Sequence, residues 1–260
     1  MRLFGKAASR SLNILKNART QSLFHARETS EENALDWIGS RVRGKTFADI
    51  GGLWGTVNEK VTVALKAGAA EATMIDITPL DGDLWKRFHD RCSAEGISGY
   101  RCVQGNIDDP EIVRKVGTYD VVHCSGVLYH CPNPLYTMSQ LAKVCNSDLI
   151  LVTTVIPPTL SNVAGTVVLA PGSALFVPAM SEAQRAVVAA YWREVGAEAI
   201  GITTPCHRWS IDDYSPWWWL FTPDSVAALL KVAGFNIVET AHGWSGRTML
   251  YLAERARTTV

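Results

Sequence analysis

The sequence predicts an α/β protein with a doubly wound, mostly parallel seven-stranded sheet. From residue 34 onward, short apolar runs alternate with helix-like stretches, which is the pattern that crossover helices between parallel strands produce. The apolar runs are nearly continuous, as expected for strands that helices cover on both faces. With 260 residues, 47% of them hydrophobic, the chain is long enough for one such domain with an elaboration.

Seven strands and the helices between them follow from these runs in order. The predicted strands are Thr46–Ile50, Ala72–Ile77, Tyr100–Gln104, Tyr119–Ser125, Leu149–Val155, Asn236–Thr240 and Thr248–Ala253. The predicted helices are Val57–Lys66, Leu84–Glu95, Pro110–Val116, Pro134–Val144, Ser181–Val195 and Thr222–Ala233. Proline in a first helical turn and glycine after a last one mark two of these ends, at Pro110 and Gly68.

The pattern divides the chain into four segments. These are a basic N-terminal helical arm (1–33), a core (34–156), an insertion (157–216) and a C-terminal completion of the sheet (217–260). The insertion is rich in Pro, Gly, Ser and Ala, and a stretch this long without strand signals is typical of a lid over an active site. We expect the arm to lie over the domain as an amphipathic helix, with a transit peptide or membrane-surface attachment as alternatives.

Charge and cysteine content indicate the setting of the protein. Lys plus Arg and Asp plus Glu number 25 each, so no net field draws the chain to nucleic acid, and a small-molecule partner fits better. The six cysteines show no CxxC pair and no zinc spacing, which favours a reducing cytoplasm and no bound metal. No apolar run reaches the ~18 residues that span a bilayer. The sequence leaves homodimer formation open.

A glycine turn follows the first predicted strand, in Phe47-Ala-Asp-Ile-Gly-Gly-Leu-Trp-Gly55. Gly51 and Gly52 remove side chains where a ligand would touch the backbone, and Gly55 lets helix and strand approach closely. Such a turn also serves nucleotides in dehydrogenases, or makes a tight turn without a ligand. The G-x-G-x-x-G spacing of nicotinamide-dependent dehydrogenases is missing here, which disfavours that class.

Acidic residues follow the second and third strands, where a nucleoside ligand would lie. Asp76 stands about 20 residues beyond the glycine turn, where a carboxylate accepts both ribose hydroxyls; its alternative role is a cap for the following turn. In Gly105-Asn-Ile-Asp108, Asp108 would bond the adenine amino group and Ile107 would pack on the ring. Here too a capping aspartate ahead of Pro110 is the alternative.

The stretch Tyr119-Asp-Val-Val-His-Cys-Ser-Gly-Val-Leu-Tyr-His-Cys-Pro-Asn-Pro134 completes a set of four motifs. In their order these motifs, D-I-G-G-x-x-G, an acid after strand two, N-I-D and D-V-V-x-x-x-G-V-L-Y-H-x-x-x-P, resemble the class I S-adenosylmethionine-dependent methyltransferases over about Leu35–Thr154. The resemblance implies methyl transfer from S-adenosylmethionine on a Rossmann-like fold. The cofactor residues it implies are Asp49, Gly51, Gly52, Gly55, Asp76, Ile77, Asn106, Ile107, Asp108, Ser125, Gly126 and Val127. Gly52 departs from the family, which more often has Cys, Ser or Ala, and so does the large Trp54.

Within that family, the Gly-Val-Leu-Tyr-His motif and the later Phe-Thr-Pro-Asp-Ser look most like enzymes that carboxymethylate the wobble uridine of transfer RNA. The chain lacks their long N-terminal RNA-binding portion, and its charge is balanced. We therefore expect O- or N-methylation of a small aromatic or hydrophobic acceptor, with transfer RNA modification as the alternative. A cofactor-binding protein without catalysis on the same fold is a second alternative.

The expected acceptor side combines histidines with an aromatic cluster. His130, beside the fourth motif, is the first candidate for a general base, with a loop-fixing role as its alternative. His207 with Asp212 or Asp213 is a second candidate pair, and its few ligands do not indicate a metal. The expected substrate-binding residues are Tyr129, Trp209, Tyr214, Trp217 and Trp218. Alternatively, the tryptophans anchor the insertion to the core, and we expect this of at least one of Trp217, Trp218 and Trp219, since three consecutive side chains cannot all face one way.

Overall fold

The computed structural model describes residues 32–53, 59–197 and 209–256, and a seven-stranded sheet forms its centre. The strands in these ranges are β1 (Thr46–Ile50), β2 (Glu71–Asp76), β3 (Arg101–Gln104), β4 (Tyr119–Ser125), β5 (Cys145–Thr154), β6 (Thr159–Asn162), β7 (Gly165–Val168), β8 (Ala174–Phe176), β9 (Trp219–Phe221), β10 (Phe235–Gly243) and β11 (Thr248–Arg255). Across the large sheet the order is β10-β11-β5-β4-β1-β2-β3. β11 runs antiparallel to the other six strands of this sheet, which are parallel to one another, so the predicted fold class is confirmed.

Helices connect the parallel strands. They are α1 (residues 32–41), α2 (Val61–Lys66), α3 (Asp83–Ala94), α4 (Pro110–Val116), α5 (Pro134–Val144), α6 (Glu182–Arg193) and α7 (Pro223–Val232). Short polar residues start several of them: the Asp109 and Asn133 side chains accept N–H bonds in the first turns of α4 and α5. Ser181 and Gln184 form a reciprocal capping box on α6. In the described ranges, no helix is both long and apolar enough to cross a membrane.

The core lies on both faces of the sheet. Neighbouring residues of one strand belong to different apolar clusters, as with Phe47 and Ala48 in β1 or Val121 and Val122 in β4. This alternation follows from the two-residue period of a strand. Both faces are apolar because helices cover both, which explains the continuous apolar runs in the sequence.

The insertion contains strands that the sequence pattern did not indicate. Strands β6 and β7 form a hairpin, and β8 pairs with β9, which follows the insertion in the chain. These strands have three or four residues each, too few to show a period of two in the sequence. Strand β5 begins before the predicted Leu149, at Cys145, and β10 runs past Thr240 to Gly243. Antiparallel pairing with β11 continues β10 through its polar residues.

A third apolar cluster holds the insertion on the carboxyl end of β5. It includes Val188 and Trp192 of α6 together with Trp217. Arg247, which precedes β11, ties α6 to the sheet: its guanidinium donates to the Tyr191 carbonyl at 2.6 and 3.1 Å and lies 3.7 Å over the Tyr191 ring. The insertion therefore packs above the carboxyl ends of the parallel strands, where α/β proteins bind ligands.

Candidate active site

A cavity of about 190 Å³ opens at the carboxyl ends of β1 to β4. The strand order reverses between β1 and β4, and this crevice is where open α/β sheets place their ligands. The cavity is mainly apolar, with a few polar groups. Its lining residues are Ile50, Gly51, Ile75, Asp76, Ile77, Thr78, Leu84, Gly105, Asn106, Ile107, Gly126, Val127, His130 and Tyr214.

The glycine turn forms one wall of this cavity. Gly51 has φ of +80°, and a Cβ added there would overlap Val127 Cγ2 and lie 2.9 Å from the Ser125 carbonyl oxygen. A Cβ on Gly52 would overlap the Asp49 carboxylate and lie 2.9 Å from Met74 Cε. Gly52, where the family more often has a larger residue, is therefore required by the position of Asp49. Gly55 and Trp54 lie outside the described residues.

Asp49 is fully buried below the turn and does not line the cavity. Its Oδ2 accepts the Lys60 backbone N–H at 2.6 Å, and its Oδ1 lies 2.7 Å from His123 Nδ1. Asp49 thus ties Lys60, which precedes α2, to His123 of β4. His123 could not be found from the sequence, because no local signal shows that β1 and β4 are neighbours and that Asp49 pairs with His123.

Asp76 lies at the end of β2 and lines the cavity. One carboxylate oxygen accepts from the Thr78 N–H and hydroxyl at 2.9 and 2.7 Å, and the other accepts from the Leu53 N–H at 3.3 Å. The carboxylate therefore does cap the following turn, as the alternative interpretation held. A carboxylate has about four acceptor sites, so these bonds still leave it able to accept a ribose hydroxyl. The adjacent Ile77 is 53% exposed on the same wall.

The loop after β3 places Asn106 and Ile107 on the cavity wall and turns Asp108 away from it. The Asn106 side-chain oxygen accepts the Asp108 N–H at 2.9 Å. Asp108 Oδ2 accepts hydroxyls from Thr137 at 3.1 Å and Tyr214 at 3.0 Å, and its buried Oδ1 has no partner among the described residues. Burial raises the pKa of Asp108, and the two hydroxyl donors oppose that rise.

The loop after β4 forms the opposite wall. Gly126 has φ of +72° and Val127 follows it along the cavity, whereas Ser125 is not among the lining residues. The chain then makes a short 3₁₀ turn, Leu128–His130. A Cβ on Gly126 would lie 3.6 Å from the Tyr129 hydroxyl oxygen. The backbone of this loop is therefore close enough to the cavity to touch a bound ligand.

His130 lines the cavity with its tautomer determined. Its Nδ1 lies 3.0 Å from the Pro216 carbonyl oxygen, which can only accept, so Nδ1 carries the proton. Nε2 of the neutral ring then holds a lone pair. Burial lowers the pKa of His130, against the opposing effect of the Pro216, Ser215 and Tyr214 carbonyls and of Asp213. The neutral ring is thus available as a base at neutral pH.

The predicted aromatic acceptor residues separate into two groups. Trp217 and Trp218 are buried, and Trp217 packs edge-on against Tyr129 and Trp192 at ring distances of 4.7 and 5.2 Å. Trp209 packs on Trp218 at 5.0 Å. This packing favours the alternative that the tryptophans anchor the insertion. Tyr214 instead lines the cofactor-side cavity.

The second predicted pair, His207 with Asp212 or Asp213, has its histidine outside the described residues. The Asp213 carboxylate accepts the Ser215 hydroxyl and N–H at 2.6 and 2.9 Å, and these bonds lower its pKa. Across the described residues, no group of three His, Cys, Asp or Glu side chains could hold a metal ion.

Solved structures share this architecture. At a TM-score of 0.54 and 15% identity, a magnesium protoporphyrin IX methyltransferase from Synechocystis PCC 6803, solved with bound S-adenosylhomocysteine, matches 88% of this chain and 83% of its own. A Bacillus halodurans C-125 protein provisionally named a methyltransferase matches 86% and 98% at a TM-score of 0.55 and 15% identity. The N-terminal domain of EvdMO1, solved with S-adenosylhomocysteine, matches 88% and 80% at a TM-score of 0.50 and 14% identity.

Fold and cavity together define a class I S-adenosylmethionine-dependent methyltransferase, with the cofactor crevice between β1 and β4. A family profile, the methyltransferase domain, matches residues 54–240, and the chain belongs to that family. Its cofactor is S-adenosylmethionine. A search of curated proteins found no match. The comparisons do not support the narrower likeness to transfer RNA wobble-uridine enzymes.

Proposed function

We propose that the protein transfers the methyl group of S-adenosylmethionine to an oxygen or nitrogen atom of a small aromatic or hydrophobic molecule, with His130 as general base. The observation that carries the proposal is the position of His130. The ring lines the cavity that the glycine turn forms, and the proton on Nδ1 is held by the Pro216 carbonyl. Nε2 therefore stands ready to accept a proton from an acceptor.

The residues present fit the cofactor. Gly51 and Gly126 open the backbone on two sides of the cavity, where a side chain would collide with the loop opposite or fill the space. Asp76 offers acceptor sites for ribose hydroxyls, and Ile107 offers an apolar surface for the purine. Asp49 acts indirectly, by bonding Lys60 and His123 beneath the cavity. When bound, the cofactor supplies an electrophilic methyl group for in-line displacement.

The protein's own contribution is positioning and proton removal. The loops after β1 and β4 would hold the cofactor beside the acceptor, and such positioning can supply a large part of the acceleration of a transfer. His130 takes the proton that an alcohol, phenol or amine loses as the new bond forms. Its lowered pKa keeps the ring neutral at pH 7, so no proton has to be removed from it first.

The surroundings of His130 support an apolar acceptor. Its ring contacts those of Tyr129 and Trp217 at 4.5 and 6.4 Å. The cavity that His130 lines is mainly apolar, which suits a hydrophobic acceptor with a reactive hydroxyl or amine. The Synechocystis neighbour is named for magnesium protoporphyrin IX, a flat molecule, although the likeness in itself shows the fold.

Calorimetric titration with S-adenosylmethionine, S-adenosylhomocysteine and NADH tests the cofactor part, on the wild type and Asp76→Ala. Binding of both adenosyl compounds but not NADH, weakened by the substitution, is the expected result. An acceptor screen with wild type and His130→Gln follows. Turnover that survives unchanged in His130→Gln would contradict the base assignment. Tight cofactor binding without turnover on any acceptor would favour the non-catalytic alternative.

We also propose a cytoplasmic protein. Of the six cysteines, the five that the structure describes are free thiols, as in a reducing compartment. Light scattering of the full chain tests for a homodimer, and a filter-binding assay with transfer RNA tests the alternative substrate.

A further inference from the structure

A strap of five residues, 214–218, crosses from the insertion to the cofactor side of the molecule. It makes three hydrogen bonds there: Tyr214 hydroxyl to Asp108 Oδ2 at 3.0 Å, His130 Nδ1 to the Pro216 carbonyl at 3.0 Å, and Trp218 N–H to the Tyr129 carbonyl at 2.8 Å. The three partners belong to the loops that follow β3 and β4, and these loops also form the cavity walls. The strap therefore rests on the cofactor site itself.

Tyr214 is the strap residue that reaches the cavity. Its side chain lines the same space as Asn106 and Ile107, while its hydroxyl bonds Asp108, the next residue of that loop. A tyrosine ring has two side-chain torsions, and a hydrogen bond at its far end restricts both. The ring is thereby held at the end of the cavity where the loop after β3 would meet a purine.

Asp108 holds the Tyr214 ring through the hydrogen bond to its hydroxyl. It does not line the cavity, and its Oδ2 accepts from both Tyr214 and Thr137. Burial opposes the charged carboxylate, so two hydroxyl donors on one oxygen are a substantial part of its stabilisation. Removing the Tyr214 hydroxyl or the Asp108 carboxylate therefore leaves the remaining group without this hydrogen-bond partner in a partly buried site.

We propose that Tyr214 is a cofactor-binding residue supplied by the insertion, whose ring covers the purine, and that Asp108 is the residue that positions it. The inference rests on the proposed cofactor use. It has a consequence for the base, because Pro216, two residues after Tyr214, bonds His130. The strap therefore links the ring that would cover the purine to the carbonyl that fixes the proton on His130 Nδ1.

The test measures binding and dissociation of S-adenosylhomocysteine, and so needs no acceptor. We expect Tyr214→Phe and Asp108→Ala each to weaken binding about 3- to 10-fold, through faster dissociation, as for one lost hydrogen bond. The double variant should bind S-adenosylhomocysteine about as tightly as the weaker-binding single variant, because both substitutions break the same hydrogen bond. Tyr214→Ala, which removes the stacking surface, should lose about 5- to 100-fold.

Tyr119→Phe is the matched control. Tyr119 is 3% exposed at the start of β4, at the opposite end of the strand from the cavity, and its hydroxyl has no partner in the described residues. Removing it should leave binding unchanged. If Asp108→Ala does not fold, Tyr214→Phe tests the proposal, since this variant keeps the ring and removes only the hydroxyl of the half-buried Tyr214.

A readout that a purely structural role would not move is the titration of His130. Followed by NMR and assigned with His130→Gln, it should shift when S-adenosylhomocysteine binds the wild type and shift less in Tyr214→Phe. Wild-type binding with no change in Tyr214→Phe or Asp108→Ala would overturn the inference and leave the proposed function standing. Failure of the wild type to bind would overturn both.

Discussion

The substitution Gly51→Ala tests the glycine turn most directly. At φ of +80° the new Cβ carries the left-handed backbone strain of about 1–2 kcal/mol. It also overlaps Val127 Cγ2 and approaches the Ser125 carbonyl oxygen to 2.9 Å. The carbonyl belongs to β4 and cannot rotate away, so the overlap adds an overpacking cost of about 1–3 kcal/mol.

Together these terms predict a loss of about 2–5 kcal/mol in the free energy of unfolding. This is a large share of the ~5–15 kcal/mol of a typical domain. The methyl group also stands where the ligand must meet the backbone, and we expect S-adenosylhomocysteine affinity to fall at least about tenfold, or ~1.4 kcal/mol.

Gly99→Ala separates strain from overlap. Gly99 has φ of +78° and nothing within 4 Å of an added Cβ. It should lose only the backbone part, about 1–2 kcal/mol, and keep its cofactor affinity. Urea unfolding and calorimetric titration of the two variants give both quantities. Equal destabilisation of the pair with equal affinity for S-adenosylhomocysteine would refute the argument that the turn is shaped for close approach.

Three further predictions concern single side chains. Burial lowers the pKa of His130 below its ordinary 6.5, so the unfolded chain binds a proton on this residue more readily than the folded chain does. The contribution of neutral His130 to stability is therefore complete above about pH 6.5, and it is lost as the pH falls through the pKa of the folded state. Urea unfolding between about pH 7.5 and about pH 5.5 should show a smaller decline in His130→Gln than in wild type, and parallel curves would contradict this. Arg247→Met should cost about 2–4 kcal/mol of unfolding free energy, since the Tyr191 carbonyl loses a charged donor, and an unchanged urea midpoint would count against it. Asp49→Asn should cost about 1–3 kcal/mol of unfolding free energy and weaken S-adenosylhomocysteine binding, because an amide cannot accept from both the Lys60 N–H and His123. Retained affinity would show that these two bonds do not shape the cofactor site.

The sequence predicts the fold well because its signals are local. Each signal lies in a short stretch of consecutive residues: the glycine turn, the acid after β2 and the seven apolar runs. The order of these stretches along the chain implies the sheet. Gly51 and Gly126 could be placed at the cavity from the motif, and the structure puts them there. The cofactor follows from the same local motifs.

The site has parts that only the packed chain shows. Asp49 was expected to line the cavity and is instead tied to His123, a contact that depends on which strands are neighbours. Asp108 was expected to face the purine and instead bonds Tyr214, which is 106 residues away along the chain. Tyr214 itself was expected on the acceptor side and lines the cofactor cavity.

What the sequence by itself determined is therefore the architecture, the family and the glycine turn, since each depends on spacing along the chain. Only the tertiary structure decided which polar groups meet: the His130 tautomer, the buried position of Trp217, and the strands of the insertion. Hydrogen bonds and edge-on ring contacts require atoms within a few ångströms, and that proximity is created by strand order and by the return path of the insertion. A linear pattern records neither.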